Sequence, residues 1–495
     1  MSGTKSRRPT DSFLASVGSV PDESAVIASL AEAEPSILWL DQPNKPDPAP
    51  PLVGSIDTDL IIVGGGFTGL WTALQAVEED PNRSVVLLEA GETADGATGR
   101  NGGFCDSSLT HGLENGLKHW PDEMTELERM GKENLSAIVA TLSRYGIDCG
   151  AELTGELDVA VADWQLGELA AGVEAYRALG IQAELMDGPG TRALVNSPAY
   201  RGGLLRPDGT IMLDPARLAW GLRTAAEGLG VQFHDHSTVR SIQRKGTGIE
   251  ARTGKKSSGG MNEGTATAAC AVVATNAFHP LVRGIRRAVA PVYDHVLATE
   301  PLSVNQLASL GWSGRQGVGD VGNQFHYYRL TPDNRILWGG WDALYHFGNR
   351  VGLEVEYNGD TTRTLARHFL ATFPQLEGIR FSHRWAGPIA TTSRFTCTWG
   401  TSHAARVAWA VGYTGLGVGA SRFGARVALD LLSGRQTERT ALSMVKKQPF
   451  PFPPEPLRWP AIQLTRRAIQ RCDRRDGRRG PWLTLLDRFG IGFDS

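Results

Sequence analysis

DTDLIIVGGGFTGLWTALQAVEEDPNRSVVLLEA, residues 57–90, reads as strand, glycine turn, helix and strand. The apolar runs Leu60 to Val63 and Val85 to Leu88 lack polar alternation, the pattern of parallel strands buried on both faces. Gly64, Gly66 and Gly69 stand in G-x-G-x-x-G spacing between the first strand and the helix. The first glycine allows the tight turn, Gly66 lets the backbone approach a pyrophosphate, and Gly69 lets the helix pack on the strand. Phosphates then sit against Phe67 and Thr68 at the positive helix end. Glu89, 20 residues after Gly69 and followed by Ala90, ends the second strand. Its carboxylate is placed to accept hydrogen bonds from ribose hydroxyls. A glycine turn that binds nothing would need neither the flanking elements nor the acid. The spacing makes the ligand a dinucleotide and leaves NAD and FAD open.

Two more glycine-rich segments bear on that choice. Gly96 to Gly103 follows the second strand, and its small residues, with Thr98, Asn101, Gly102 and Gly103, would let N–H groups lie against phosphate and a flavin edge while Arg100 adds charge. Gly412-Tyr413-Thr414-Gly415-Leu416-Gly417-Val418-Gly419 again joins an apolar strand to a helix, where backbone donors would face the electron-rich side of a reduced flavin. The bland readings are a flexible loop and a tight turn.

The rest of the chain bounds the class. With 495 residues, 41% of them hydrophobic, it can bury the cores of two packed domains. Fifty Lys and Arg nearly balance 53 Asp and Glu, so no global field recruits nucleic acid. Five scattered cysteines without a C-x-x-C pair argue against structural zinc and fit reduced thiols in a cytoplasmic protein. The N-terminus has basic residues without an apolar run behind them, and the most apolar stretch, 59–77, is broken by glycines, so neither a secretory signal nor a membrane span is expected.

The expected fold class is α/β, α+β overall, with a Rossmann-type FAD-binding domain and a mixed β-sheet substrate domain. Residues 1–55 form an extended arm, proline-rich at its end and expected to be ordered only where Ile37, Leu38 and Trp39 dock. Residues 56–150, 200–285 and 396–445 form the nucleotide domain, 151–199 and 286–395 the substrate domain, and 446–495 a C-terminal arm. A glycine, serine and lysine-rich hairpin tip after residue 253 is expected to be mobile.

The segments DLIIVGGGFTGLWTAL, GATGRNGG, TIMLDPARLAWGLRTAAEGLGVQFHDHSTVRSI, VVATNAF, ATEPL, RILWGG and GYTGLGVG run in one order across residues 56–435. Together they resemble the D-amino-acid oxidase or glycine oxidase superfamily, within it the branch typified by gamma-glutamylputrescine oxidases. The resemblance implies FAD, Val239 beside the adenine, Thr275 and Asn276 in the nucleotide cleft, and Arg100 and Asn101 near the flavin. It also implies that Tyr328, Trp341 and Tyr413 lie close to the substrate. It further implies hydride transfer from a small amine to flavin, an imine hydrolysed by water, and dioxygen or another acceptor for the electrons. Sarcosine-oxidase-like relatives place a lysine over the flavin, whereas this chain has no lysine between Lys256 and Lys446, so a slow reaction with dioxygen is expected. Noncovalent attachment is expected because Cys105 and Cys397 lie in ordinary contexts.

Other residues have weaker claims. His326, His346 and His383 fall in the expected substrate domain and are candidates to tune amine protonation, although a lone histidine in a β region is more often a packed core residue. Phe325, Tyr327, Tyr328, Trp338 and Trp341 would cage a cation or simply fill a core. Arg394 would clamp a substrate carboxylate or make a surface ion pair. The tail from Arg466 to Arg479 holds seven arginines, with Ile462, Ile469 and Cys472 on one helical face, the pattern of an amphipathic helix clamped to the body. Three functions remain: oxidation of an amine such as a polyamine derivative; oxidation of a sarcosine, glycine or D-amino-acid type substrate; or a flavin-bound protein that mainly binds partners.

Overall fold

The computed structural model describes residues 11–257 and 260–491; the extreme N-terminus and the tip of the lysine-rich hairpin lie outside them. The opening stretch folds as its pattern requires, into β1 (Gly54–Val63), α1 (Phe67–Glu79) and β2 (Val85–Leu88). Downstream come α2 (Pro215–Gly228), β3 (Gln232–His234), β4 (Gly264–Val273), β5 (Val407–Val411) and α3 (Gly417–Ser433). The five strands are parallel in the order β3, β2, β1, β4, β5. This is the doubly wound order in which the chain leaves β1 on both sides, and the crevice at that reversal is where a dinucleotide binds. Register places Val63 opposite both Leu88 and Val273, so Gly64, Glu89 and Ala274 emerge together at the carboxyl ends of adjacent strands.

One face of this sheet is covered by α1, packed between α2 and α3. Every residue of α1 from Phe67 to Val77 is buried, which explains why the segment shows so little polar periodicity.

The second sheet has eight strands in the order Phe381–Thr391, Ala290–Thr299, Ile336–Leu344, His326–Leu330, Gly317–Asp320, Glu156–Ala160, Gly202–Arg206 and Glu184–Asp187. It is mixed, because Gly317–Asp320 runs parallel to Glu156–Ala160 while the other pairs are antiparallel. Gly202–Arg206 pairs here, just past the expected division at residue 200.

The N-terminal arm holds more order than its proline content suggested. Helices Ser12–Val17 and Glu23–Leu30 are each started by an aspartate, Asp11 and Asp22, whose carboxylate accepts from the first-turn N–H groups. Phe13, Leu14 and Val26 are buried with the second sheet, so docking is not confined to Ile37, Leu38 and Trp39. At the other end, the helix Arg458–Asp473 lies against the body with Cys472 buried, while Arg467, Arg471 and Arg474 face solvent. No helix among the described residues is long and apolar enough to cross a membrane.

Candidate functional site

A cavity of about 2140 Å³ runs from the carboxyl ends of β1 and β2 to the second sheet, well above the roughly 300–1,000 Å³ that suffices for a drug-sized ligand. At its first end the wall is backbone. Gly64 has φ +113°, and a Cβ there would meet the Ala274 carbonyl oxygen at 2.7 Å. A Cβ on Gly66 would lie 2.9 Å from Thr98 Oγ1, and Thr98 Oγ1 accepts a hydrogen bond from the Phe67 N–H at 3.0 Å. Gly66 provides no side-chain cap, so beyond the Phe67 N–H taken by Thr98 the first-turn N–H groups of α1 are left for an anion. Glu89 accepts from Gly65 N–H at 2.5 Å and from Gly91 N–H at 2.8 Å, and burial within the cavity wall holds its carboxyl above the usual range. Thr275 Oγ1 is buried in the same wall without a partner among the described residues, an acceptor and donor left for a polar ligand group. A glycine cradle, an open helix N-terminus, an oriented carboxylate and an orphan hydroxyl together fit a dinucleotide.

The residues expected to bind it divide in two. Gly64, Gly66, Phe67, Thr68, Glu89, Ala90, Thr98, Arg100, Asn101, Gly102, Val239, Thr275, Asn276, Gly415, Leu416 and Gly417 line the cavity. Gly69, Gly103 and Gly412 stand behind it and act through packing. A Cβ on Gly69 would fall 1.8 Å from the Gly64 carbonyl oxygen, and one on Gly103 2.1 Å from that of Leu213. Gly412, at φ +84°, lies against Thr392, and its N–H donates to Asn276 Oδ1 at 3.1 Å, tying the two loops together.

The 96–103 loop is clamped by two indoles, Trp39 Nε1 donating to the Asn101 carbonyl at 2.8 Å and Trp385 Nε1 to that of Arg100 at 2.9 Å. Arg100 does not offer a free charge. Its guanidinium donates to Glu356 at 2.7 Å and to the carbonyls of Ala386 and Asp95 at 2.9 Å.

At the second end the wall is made of side chains. Trp341 lines it; Tyr413 lines the cavity nearer the first end, its hydroxyl accepting from Thr68 Oγ1 at 2.9 Å. Tyr328 does not: it is 1% exposed on the opposite face of its strand, its hydroxyl 2.8 Å from that of Tyr200. Successive strand residues point to opposite faces, so it is Tyr327 that faces the cavity. Phe325 joins the wall, whereas Trp338 is core.

None of the three histidines singled out lies in the wall. His383 pairs with Asp41 at 3.4 Å and His346 packs edge-on to Tyr293. His326 is part of a buried chain, Asp320 to His326 at 2.7 Å, His326 to His368 at 2.9 Å, and His368 to Asp11 at 2.7 Å. Trp341, at φ +69°, stacks on the His326 ring with centroids 5.3 Å apart. The chain therefore holds a wall residue from below. Arg394 is also buried away from the cavity, its guanidinium over Trp120 and donating to the Met444 carbonyl.

His111, which nothing in the local pattern marked, does line the cavity beside Gly415, and burial pushes its imidazole below the usual range. The sequence also gave no sign of the acids. Asp294, Asp320, Asp106, Glu156 and Asp158 face this end, where burial raises Asp294 to about 6 and Glu156 to about 7. Arg206 sits among the last three, 2.7 Å from Glu156. The C-terminal helix closes the space with Ile462 and Ile469, fixed by Arg466 on Asp342 and by Asp473 on Asn323.

The DAO family profile, described as FAD dependent oxidoreductase, matches residues 59–431. The chain is 33% identical over 412 residues to gamma-glutamylputrescine oxidoreductase of Escherichia coli (strain K12), covering 82% of this chain and 91% of that protein. It is 28% identical over 399 residues to the probable oxidoreductase OrdL of Haemophilus influenzae, covering 80% and 88%. Among solved structures, glycine oxidase from Geobacillus kaustophilus superposes with a TM-score of 0.62 at 19% identity, over 77% of this chain and 96% of that one, a likeness of fold.

Proposed function

Because the chain belongs to the DAO family of FAD-dependent oxidoreductases, we propose that it oxidises a small amine that carries no carboxylate at its reacting end, a polyamine derivative rather than an amino acid. The observation that supports this choice is the engagement of every arginine in the cavity wall among the described residues. Arg100 is held by Glu356, Arg206 by Glu156 and its neighbours, Arg466 by Asp342, and Arg458 by Asn349 at 2.7 Å. A bidentate clamp for a substrate carboxylate needs a guanidinium not already committed to other groups; Arg206 Nε has no hydrogen-bond acceptor among the described residues, but three acids surround that guanidinium. The acids at the second end suit a cation instead.

Bound FAD supplies a two-electron acceptor for a hydride leaving the carbon next to nitrogen, after which water hydrolyses the imine to a carbonyl compound and an amine. This chain's residues would bind and orient. The glycine loops and Glu89 would hold the dinucleotide, the two indoles would fix the 96–103 loop, and the C-terminal helix would keep bulk water from the second end. Attachment would be noncovalent, since Cys105 and Cys397 are buried outside the wall. With Arg100 already paired, slow transfer to dioxygen remains the expectation.

Anaerobic addition of amines to the oxidised holoenzyme tests the reading. Bleaching of the flavin band by diamines and alkylamines, and not by glycine, sarcosine or D-alanine, is expected, with reoxidation faster by a dye than by air-saturated buffer. Bleaching by the amino acids alone would replace the substrate class, and bleaching by none of them would leave a partner-binding flavoprotein.

A further inference from the structure

Among the described residues, Asp294 of the second sheet is a carboxylate held in place by hydrogen bonds with no lysine or arginine paired to it. Asp294 lies on the strand Ala290–Thr299 and faces the cavity. Its Oδ2 accepts from the Tyr327 hydroxyl at 2.5 Å, although Tyr327 is two strands away. The strand between them makes this contact possible. His295 pairs with Gly340 and Val296 with Gly339, while Gly339 pairs across its other edge with Tyr327. A Cβ on Gly339 would meet Tyr327 Cζ and Oη at 2.6 Å, so the ring can lie flat across the strand only because that position is glycine. On its other side the ring meets Gly102, where a Cβ would come within 2.7 Å, and Phe104 packs edge-on at 5.8 Å. The phenol is therefore fixed between the sheet and the 96–103 loop.

The groups that act on Asp294 are the Tyr327 hydroxyl, the backbone N–H groups of Gly340 and His295, and the more distant His326 ring. Among the described residues no lysine or arginine pairs with it, in contrast to Arg206, Arg100 and Arg466, each joined to an acid. A carboxylate can accept about four hydrogen bonds, so capacity toward the cavity remains. Burial raises its carboxyl to about 6, opposed by Tyr327, which leaves it ionised at neutral pH. An ionised carboxylate in a closed wall is costly unless a cation arrives to pair with it.

We infer that Asp294, held by Tyr327 between Gly339 and Gly102, is the anchor that receives the ammonium group of the substrate's reacting end and takes up one of its protons before hydride leaves the adjacent carbon, so that the nitrogen lone pair is free to form the imine. This rests on the amine reading above and names the residue that sets it. Asp294 selects the cationic head and Tyr327 positions Asp294.

The test uses tert-butylammonium and its neutral isostere tert-butanol as probes of the FAD-loaded protein. The carbon bearing nitrogen has no hydrogen, so the ammonium binds without being oxidised, and the readout is the perturbation of the visible flavin band. The wild type is expected to prefer the ammonium, with affinity falling as pH drops through about 6 and Asp294 takes up a proton. Asp294→Asn keeps the shape and an acceptor for Tyr327; it is expected to weaken the ammonium by about thirtyfold or more, leave tert-butanol within about twofold, and abolish the acidic limb. Tyr327→Phe removes the donor that favours the carboxylate, so it is expected to move that limb to higher pH. It carries the test if Asp294→Asn fails to retain FAD. Unchanged ammonium affinity in Asp294→Asn, or an unmoved limb in Tyr327→Phe, overturns the assignment while leaving the amine reading intact. A wild type that no amine in the panel bleaches removes the reading on which it rests.

Discussion

The two ends of the cavity are made of different material. The nucleotide end is backbone: three short loops, each a few residues past the end of a parallel strand, present N–H groups and bare glycines. The second end is side chain: Asp294, Tyr327, Trp341, Asp320 and Glu156 come from five strands of another sheet, spread over nearly two hundred residues of chain. The first construction leaves no choice of facing, because a glycine loop binds with the atoms every residue has. The second depends on which of two faces each strand residue takes, and a shift of one residue reverses it.

The strongest way to break the comparison is to put a side chain into the first end. In Gly69→Val a Cβ would fall 1.8 Å from the Gly64 carbonyl oxygen, backbone that cannot move without opening the β1 to α1 turn. Overpacking of this kind costs about 3 kcal/mol or more, and here it also displaces the phosphate cradle. The expected outcome is protein that is insoluble or purifies without FAD. Wild-type FAD content in a soluble Gly69→Val variant would show that the nucleotide end tolerates side chains and that the contrast is false.

The sequence was legible where structure follows from neighbours a few residues apart. The strand, glycine and acid spacing of residues 57–90 fixes the turn, and the register of Val63 with Leu88 brings Glu89 beside Gly64 at the carboxyl ends of the two strands. It was illegible where contact depends on pairing across long separations. No local signal sets Asp294 opposite Tyr327, brings Arg206 among Glu156, Asp158 and Asp106, or marks His111. The arm was misjudged for a different reason: its prolines outweighed the single-residue caps at Asp11 and Asp22, although each cap begins a helix whose apolar residues are buried.

That arm supplies an intermediate effect at the second end. Asp11 serves twice, with Oδ1 capping the first helix at Phe13 N–H and Oδ2 pairing with His368 at 2.7 Å. Asp11→Ala removes a cap worth about 1 kcal/mol and strands a buried imidazole nitrogen at about 1–3 kcal/mol. The expected loss in denaturant or thermal unfolding is about 2–4 kcal/mol. A change in near-ultraviolet circular dichroism is also expected, since Phe13 packs edge-on to Trp341 at 5.9 Å. Asp11→Asn, which still caps, is expected to lose less. An Asp11→Ala variant as stable as the wild type would mean that the arm covers the second end without supporting it.

The smallest effect sharpens the comparison most, because it separates two adjacent tyrosines by facing alone. Tyr327 and Tyr328 have the same side chain, neighbouring positions on one strand and phenols that are both protonated at neutral pH, the first half-buried and the second buried. One hydroxyl meets Asp294 in the cavity wall, the other meets Tyr200 in the core of the second sheet. Tyr328→Phe keeps the ring contacts with Trp338, Trp312 and Phe373 and removes one hydrogen bond, leaving the Tyr200 hydroxyl without that partner. About 1 kcal/mol of stability is expected to go, with no change in ammonium affinity or in its pH limb. Tyr327→Phe is expected to reverse the pattern, altering ammonium binding while costing stability by a similar or smaller amount. Denaturation curves and flavin-band titrations of the two variants side by side measure both quantities. If Tyr328→Phe shifted the titration and Tyr327→Phe did not, the strand would present its other face to the cavity, and the placement of Asp294 as anchor would fall with it, because that placement depends on the same pairing with Gly339.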